Sequence, residues 1–205
     1  MKNTFKILSI ISLMLVIGFS FAACGGGDDG GGNSNDGLTD DIHKIVPSDI
    51  LDAFKGLGIE INGGKNPPNI EGTYLSSPHV LVRSNFSDNI QPGRQFPNRQ
   101  ITFSKQDNVN LTVVYDYISI GGIETGSGLG SYITGNGNKF SVFTETSGTI
   151  GGQQYKTVQL ISGEITPSGI RNYNYAGIVT EEAPLSLKRG QGRLFYDSDG
   201  LAERQ

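Results

Sequence analysis

From Ile70 to its C-terminus the chain is written almost wholly in short apolar–polar alternations punctuated by turn residues, and this period of two constrains the fold more than any other feature. Leu111, Val113, Tyr115 and Tyr117 share one face of a strand and Asn110, Thr112 and Asp116 the other, with Val114 out of step. Phe140 and Val142 oppose Lys139 and Ser141, and Phe143 breaks that pattern. Strands are expected at 71–77, 79–86, 99–105, 109–120, 130–134, 138–147, 154–165, 170–181 and 192–197. Asn136-Gly137 supplies the positive φ of a tight hairpin, Gly151-Gly152 closes another, and Pro167 with Gly169 suits a turn over 166–169. Such short connections join antiparallel neighbours, because parallel strands need long crossovers. About eight strands in sequential hairpins shield their edges by closing into an antiparallel up-and-down barrel, an all-β fold; a β-sandwich is the alternative. One segment has a helical period instead. In 46–59, VPSDILDAFKGLGI, Ile50, Leu51, Phe54 and Leu57 form one apolar face, Ser48 can cap the start and Gly56 or Gly58 the end.

The first 24 residues, MKNTFKILSIISLMLVIGFSFAAC, follow a different logic. Two lysines precede an apolar core from Ile7 to Phe21, and small residues lead into the chain's single cysteine. About 15 apolar residues rise only about 22 Å as a helix, short for a membrane span but right for an export signal. Phe21-Ala22-Ala23-Cys24 resembles the lipobox of bacterial lipoproteins. That resemblance implies cleavage before Cys24, lipidation of Cys24, and a membrane partner reached through the anchor. Residues 25–37, GGGDDGGGNSNDG, carry no apolar side chain and read as a flexible tether, in which Asp28 and Asp29 are solvated charges rather than a calcium pair. The chain is thus organised as a signal peptide (1–23), a lipidated cysteine with its tether (24–44) and a barrel domain (45–205).

Charge narrows the partners. The 205 residues hold 16 basic and 20 acidic side chains, a net of −4, and loss of Lys2 and Lys6 with the leader makes it −6. An acidic domain gains nothing from phosphate counterion release, which excludes nucleic acid.

Asn69-Ile70-Glu71-Gly72-Thr73-Tyr74 opens the first long strand shortly after the helix. Gly72-Thr73-Tyr74 resembles the G-x-W motif with which lipocalins and the wider calycins begin their barrels, with Tyr in place of Trp. The resemblance implies that Tyr74 closes the barrel floor and that an Arg near the last strand packs over it; Arg193, in Gly192-Arg193-Leu194-Phe195-Tyr196, is the matching position. In overall layout the chain also resembles lipocalin-like lipoproteins of the Bacteroidetes, which places it on the outer membrane, at the cell surface or the periplasmic face.

No H-E-x-x-H, G-x-S-x-G, S-x-x-K or C-x-x-C motif occurs. His43 and His79 have no second ligand at metal spacing, Gly126-Ser127-Gly128-Leu129-Gly130 lacks the lysine and helix of a phosphate loop, and Asp197-Ser198-Asp199-Gly200 lacks the downstream Glu of a calcium loop. The reading is therefore a non-enzymatic protein without cofactor or metal. Its barrel would bind a small or apolar ligand in a cavity lined by Tyr74, Phe103, Tyr115, Tyr117 and Phe140. The alternative is a surface interaction or structural module, an accessory subunit or a glycan-contacting protein, meeting a protein partner through the polar-aromatic strand of Asn172, Tyr173, Asn174 and Tyr175.

Overall fold

A computed structural model describes residues 36–122, 124–150, 153–181 and 187–205. The expected export signal, Cys24, the expected tether through residue 35 and the turn expected at Gly151-Gly152 lie outside them. Two helices, α1 (Asp40–Ile45) and α2 (Ser48–Leu57), precede twelve strands: β1 (Lys65–Asn66), β2 (Gly72–Ser76), β3 (His79–Ser84), β4 (Gln95–Phe96), β5 (Arg99–Asp107), β6 (Thr112–Ser119), β7 (Thr125–Asn136), β8 (Lys139–Ile150), β9 (Gln153–Thr166), β10 (Gly169–Val179), β11 (Gly192–Asp197) and β12 (Leu201–Arg204).

The strands form a closed antiparallel barrel of eight staves. Three staves are each broken in two. β2 and β3 are separated by Ser77-Pro78, β4 and β5 by Pro97-Asn98, and β11 and β12 by residues 198–200. Pairing runs from β2/β3 to β5/β4, then through β6, β7, β8, β9 and β10. β10 gives one half to β12 (Ile170 opposite Ala202) and the other to β11 (Tyr175 opposite Phe195), and these return to β2 and β3. Among the described residues no long stave is left at an edge, which answers the problem that a sheet of this length would otherwise pose. The short β1 adds a parallel rung on β7. Across the breaks, the Asp197 carboxylate accepts from the Ser77 amide at 2.7 Å, and Pro78 accepts from the Ser198 amide.

Two apolar layers result, one on each side of the wall. The interior holds Tyr74, Ile101, Phe103, Val113, Tyr115, Ile133, Phe140, Val142, Ile161 and Tyr173. The second layer is outside, where Ile42, Ile50, Leu51, Phe54 and Leu57 of the helices cover Phe143, Val158, Leu160, Ala176, Ile178 and Leu194. Phe143 thus breaks its strand's alternation because that stretch of wall is buried on both faces. Val114, the other exception, stays outside and 40% exposed. The helices lie on the outer wall of β8–β11, not over a barrel end.

Several local expectations are corrected. Ordered structure begins before residue 45: Thr39 Oγ1 caps α1 through the Ile42 amide, and Ile42 is fully buried, so residues 38–44 belong to the domain rather than the tether. Ser48 lies inside α2, whose N-cap Pro47 offers no side-chain bond, while Gly58 ends the helix at φ 78°. The β7–β8 hairpin places Gly137 (φ 66°) and Asn138 at its centre, with Asn136 paired to Lys139, so the glycine alone supplies the positive φ. Residues 126–130 are strand: a Cβ on Gly126 would lie 2.7 Å from the Tyr117 ring, so the interior is too crowded there for a side chain. β12 and β4 were not expected, since one has two apolar residues and the other is two residues long.

Candidate functional site: a cavity over a buried arginine

The barrel interior is filled at one end and open at the other. At the filled end the Tyr74 ring is fully buried 6.2 Å from Phe103, and Phe103 meets Phe140 edge-on at 6.2 Å. Arg204 of β12, not Arg193, covers Tyr74: its guanidinium carbon lies 4.9 Å from the ring centroid, Nη2 donates to Tyr74 Oη at 2.7 Å, and Nη1 donates to the Glu71 carbonyl at 3.1 Å. Tyr74 Oη donates to the Ile70 carbonyl at 2.9 Å. Gly72 has φ 144°, and a Cβ there would lie 2.5 Å from Arg204 Nη1, so the glycine makes room for the arginine. The Gly72-Thr73-Tyr74 motif is therefore a glycine notch, a floor ring and a cation over both.

Arg193 sits at the opposite end of the last stave. Its Nε donates to Asp88 Oδ2 at 2.6 Å, and its guanidinium faces Phe86. That hydrogen bond holds the Asp88 carboxyl down at about 2. The expected Tyr74–Arg193 pair does not exist because β11 and β12 are separated by the 198–200 break, and only β12 reaches the floor.

Between the floor and the open end runs a column of rings. Phe103 lies 5.6 Å from Tyr115, and Tyr115 stacks on Tyr117 at 5.7 Å. The guanidinium of Arg99 then sits 3.6 Å from the Tyr117 centroid and 4.1 Å from that of Tyr175. Arg99 is only 3% exposed. Its Nη2 donates to Tyr115 Oη at 3.1 Å and Gln159 Oε1 at 3.2 Å, while Nη1 lies 3.9 Å from a Glu124 carboxylate oxygen. Its Nε has no hydrogen-bond acceptor. Two ring faces and three polar partners offset the cost of taking a cation out of water. Burial pushes the Tyr115 hydroxyl up to about 12, so it stays protonated.

Above Arg99 opens a cavity of about 380 Å³. Its walls are mostly rings and aliphatic groups, among them Phe86, Phe96, Tyr155, Tyr175, Val179 and Phe195; Arg99, Glu124 and Gln159 are polar points at its base, and His79, Thr157 and Arg193 are among the polar residues elsewhere in the wall. Glu124 accepts from Tyr117 Oη at 3.0 Å and Tyr155 Oη at 3.3 Å. This size and this mix of apolar wall with few convergent polar groups match small-molecule sites. No family model, curated protein or solved structure matches the chain.

The five ring residues expected to line a cavity are all buried inside the barrel, but none forms its wall. Tyr74, Phe103 and Phe140 fill the closed end, while Tyr115 and Tyr117 hold Arg99. Tyr173 and Tyr175 also point inward, so the strand expected to meet a partner presents its rings to the interior. Arg99 was missed although its signal is legible: it shares the parity of Ile101 and Phe103 on β5 and is therefore an inward-facing cation.

His79, in the cavity wall, stacks on Phe195 at 4.8 Å and pairs across strands with Asp197. Burial, and then the charge of Arg99, depress the His79 imidazole to about 3, whereas burial, and then hydrogen bonding with Asp199, raise the Asp197 carboxyl to about 6. The two have opposite consequences. From about pH 4 to 6 folded Asp197 keeps a proton that the unfolded chain has lost, so stability falls as pH rises. Over about pH 3 to 6.5 unfolded His79 carries a proton that the folded state refuses, so stability rises with pH. The wild-type slopes should nearly cancel between about pH 4 and 6. Asp197→Asn should expose the histidine slope, a rise approaching about 1.4 kcal/mol per pH unit, and His79→Gln should tilt the profile the other way. Urea midpoints across that window check this, and an unchanged flat profile for Asp197→Asn would contradict it.

Proposed function

We propose that this chain is a lipid-anchored lipoprotein of the bacterial cell envelope, of the lipocalin-like kind, whose barrel binds a small ligand with an apolar body. The carrying observation is the 380 Å³ ring-walled cavity in a barrel whose other half is solidly packed. A uniformly filled barrel would offer shape alone; here packing stops at Arg99, leaving an apolar recess with a polar base. The anchor rests on the sequence ending in Cys24, and the outer-membrane location on the same resemblance.

Uptake of a neutral apolar probe, N-phenyl-1-naphthylamine, by the purified chain tests the binding half: a saturable, one-to-one fluorescence rise supports it, and no rise beyond a detergent blank refutes it. For the anchor, Cys24→Ser should leave the protein unlipidated and unprocessed. Incorporation of labelled palmitate into that variant would contradict the assignment.

A second reading, a surface contact module, draws on one observation. Val114 and Ile118 of β6, with Asp116 between them, and Ile120 in the turn that follows are each at least 40% exposed.

A further inference from the structure

Resting on the cavity-binding reading above, we infer that the ligand carries a carboxylate, that this group docks on Arg99 at the base of the cavity, and that Glu124 is the internal carboxylate it displaces. Three observations converge. A guanidinium carries five N–H donors and no acceptor, and Arg99 spends only Nη2 on hydrogen bonds; Nε has none, and Nη1 has only an ion pair too long for one. An unpaired donor on a buried cation is costly; Nε is itself fully buried, so Nη1, held only by the long pair to Glu124, is the donor this side chain offers at the cavity's base.

The second observation is what already occupies the neighbourhood. Glu124 presents its carboxylate to Tyr117 Oη, Tyr155 Oη and the Arg99 guanidinium, so two phenols and a cation converge on one small anion. The Glu124 side chain is 38% exposed, so it can leave for water when a better-placed carboxylate arrives, which avoids two anions on one cation. Third, the recess beside Arg99 is ring-rich, with Phe96, Tyr175 and Phe195 grouped there, which suits a flat or branched hydrocarbon body; Arg193, also in the lining, is already paired with Asp88. An isolated inorganic anion would leave those walls uncovered, and a cationic ligand would meet Arg99.

The test compares three probes sharing one apolar body: 2-naphthoate, 2-naphthylmethanol and 2-naphthylmethylammonium. The chain has no Trp, so naphthyl fluorescence is read without tryptophan background. With the full-length protein in detergent, naphthoate is expected to bind at least about tenfold more tightly than the alcohol, with the ammonium weakest. Glu124→Gln removes the competing charge and should raise the preference for naphthoate over the alcohol by several-fold. Arg99→Gln should abolish the preference among the probes; if that variant does not fold, the wild-type series and Glu124→Gln still decide. If the alcohol binds as tightly as naphthoate, or the ammonium binds best, the carboxylate inference falls and the cavity-binding reading stands. Should none of the three bind, both fall together.

Discussion

Replacing Tyr74 by alanine should destabilise the domain by about 3–5 kcal/mol, among the largest effects available to a single substitution in this chain. The ring is fully buried against Phe103, and its loss would open a void at the barrel floor. It would also remove the acceptor of Arg204 Nη2 and the donor to the Ile70 carbonyl, so two polar groups would lose partners with the apolar contact. Tyr74→Phe separates the two contributions: it keeps the ring, drops the hydroxyl and should cost about 1 kcal/mol. Urea unfolding with an unchanged m-value reads both variants. A loss below about 1 kcal/mol for the alanine variant would mean that the floor is not where the barrel is closed.

The second large effect lies outside the barrel. Phe54→Ala in α2 should cost about 3–5 kcal/mol, although no residue of the helix enters the interior. Phe54 is fully buried and meets Phe143 edge-on at 6.4 Å, and that stretch of wall has apolar side chains on its outer face that the helices and the flanking Val46 and Ile59 cover. The variant should keep the sheet signal in circular dichroism while exposing surface that binds an apolar dye. A change below about 1 kcal/mol would show that the barrel stands without its helical layer.

These two residues also show how much the sequence discloses. Strand parity identified the inward set on β6 because alternation is a property of the chain itself, and the same parity would have flagged Arg99 on β5. The short helix was legible from its apolar stripe, whereas Phe143 read only as a break in alternation, because the helices that cover its outer wall are not neighbours in sequence. Position along the barrel axis was not legible. Which arginine reaches Tyr74 depends on how far the last stave is staggered and where it breaks, and a three-residue span such as Ser198-Asp199-Gly200 carries no periodicity that would announce that break. For the same reason the rings that pack the closed end could not be told from those at the cavity. Both sets obey the same alternation, and only closure of the sheet sorts them by depth.

The ligand site itself is tested most directly by filling it. Gly177 lies in the cavity wall, and the nearest neighbour of a Cβ placed there is Tyr175 Oη at 3.0 Å, the far end of a side chain that can shift. Gly177→Leu should therefore send its side chain into the recess. The expected result is a melting temperature at or above that of the wild type together with at least about a tenfold loss of affinity for N-phenyl-1-naphthylamine. A folded Gly177→Leu protein that takes up the probe as the wild type does would contradict the assignment of this cavity as the binding site.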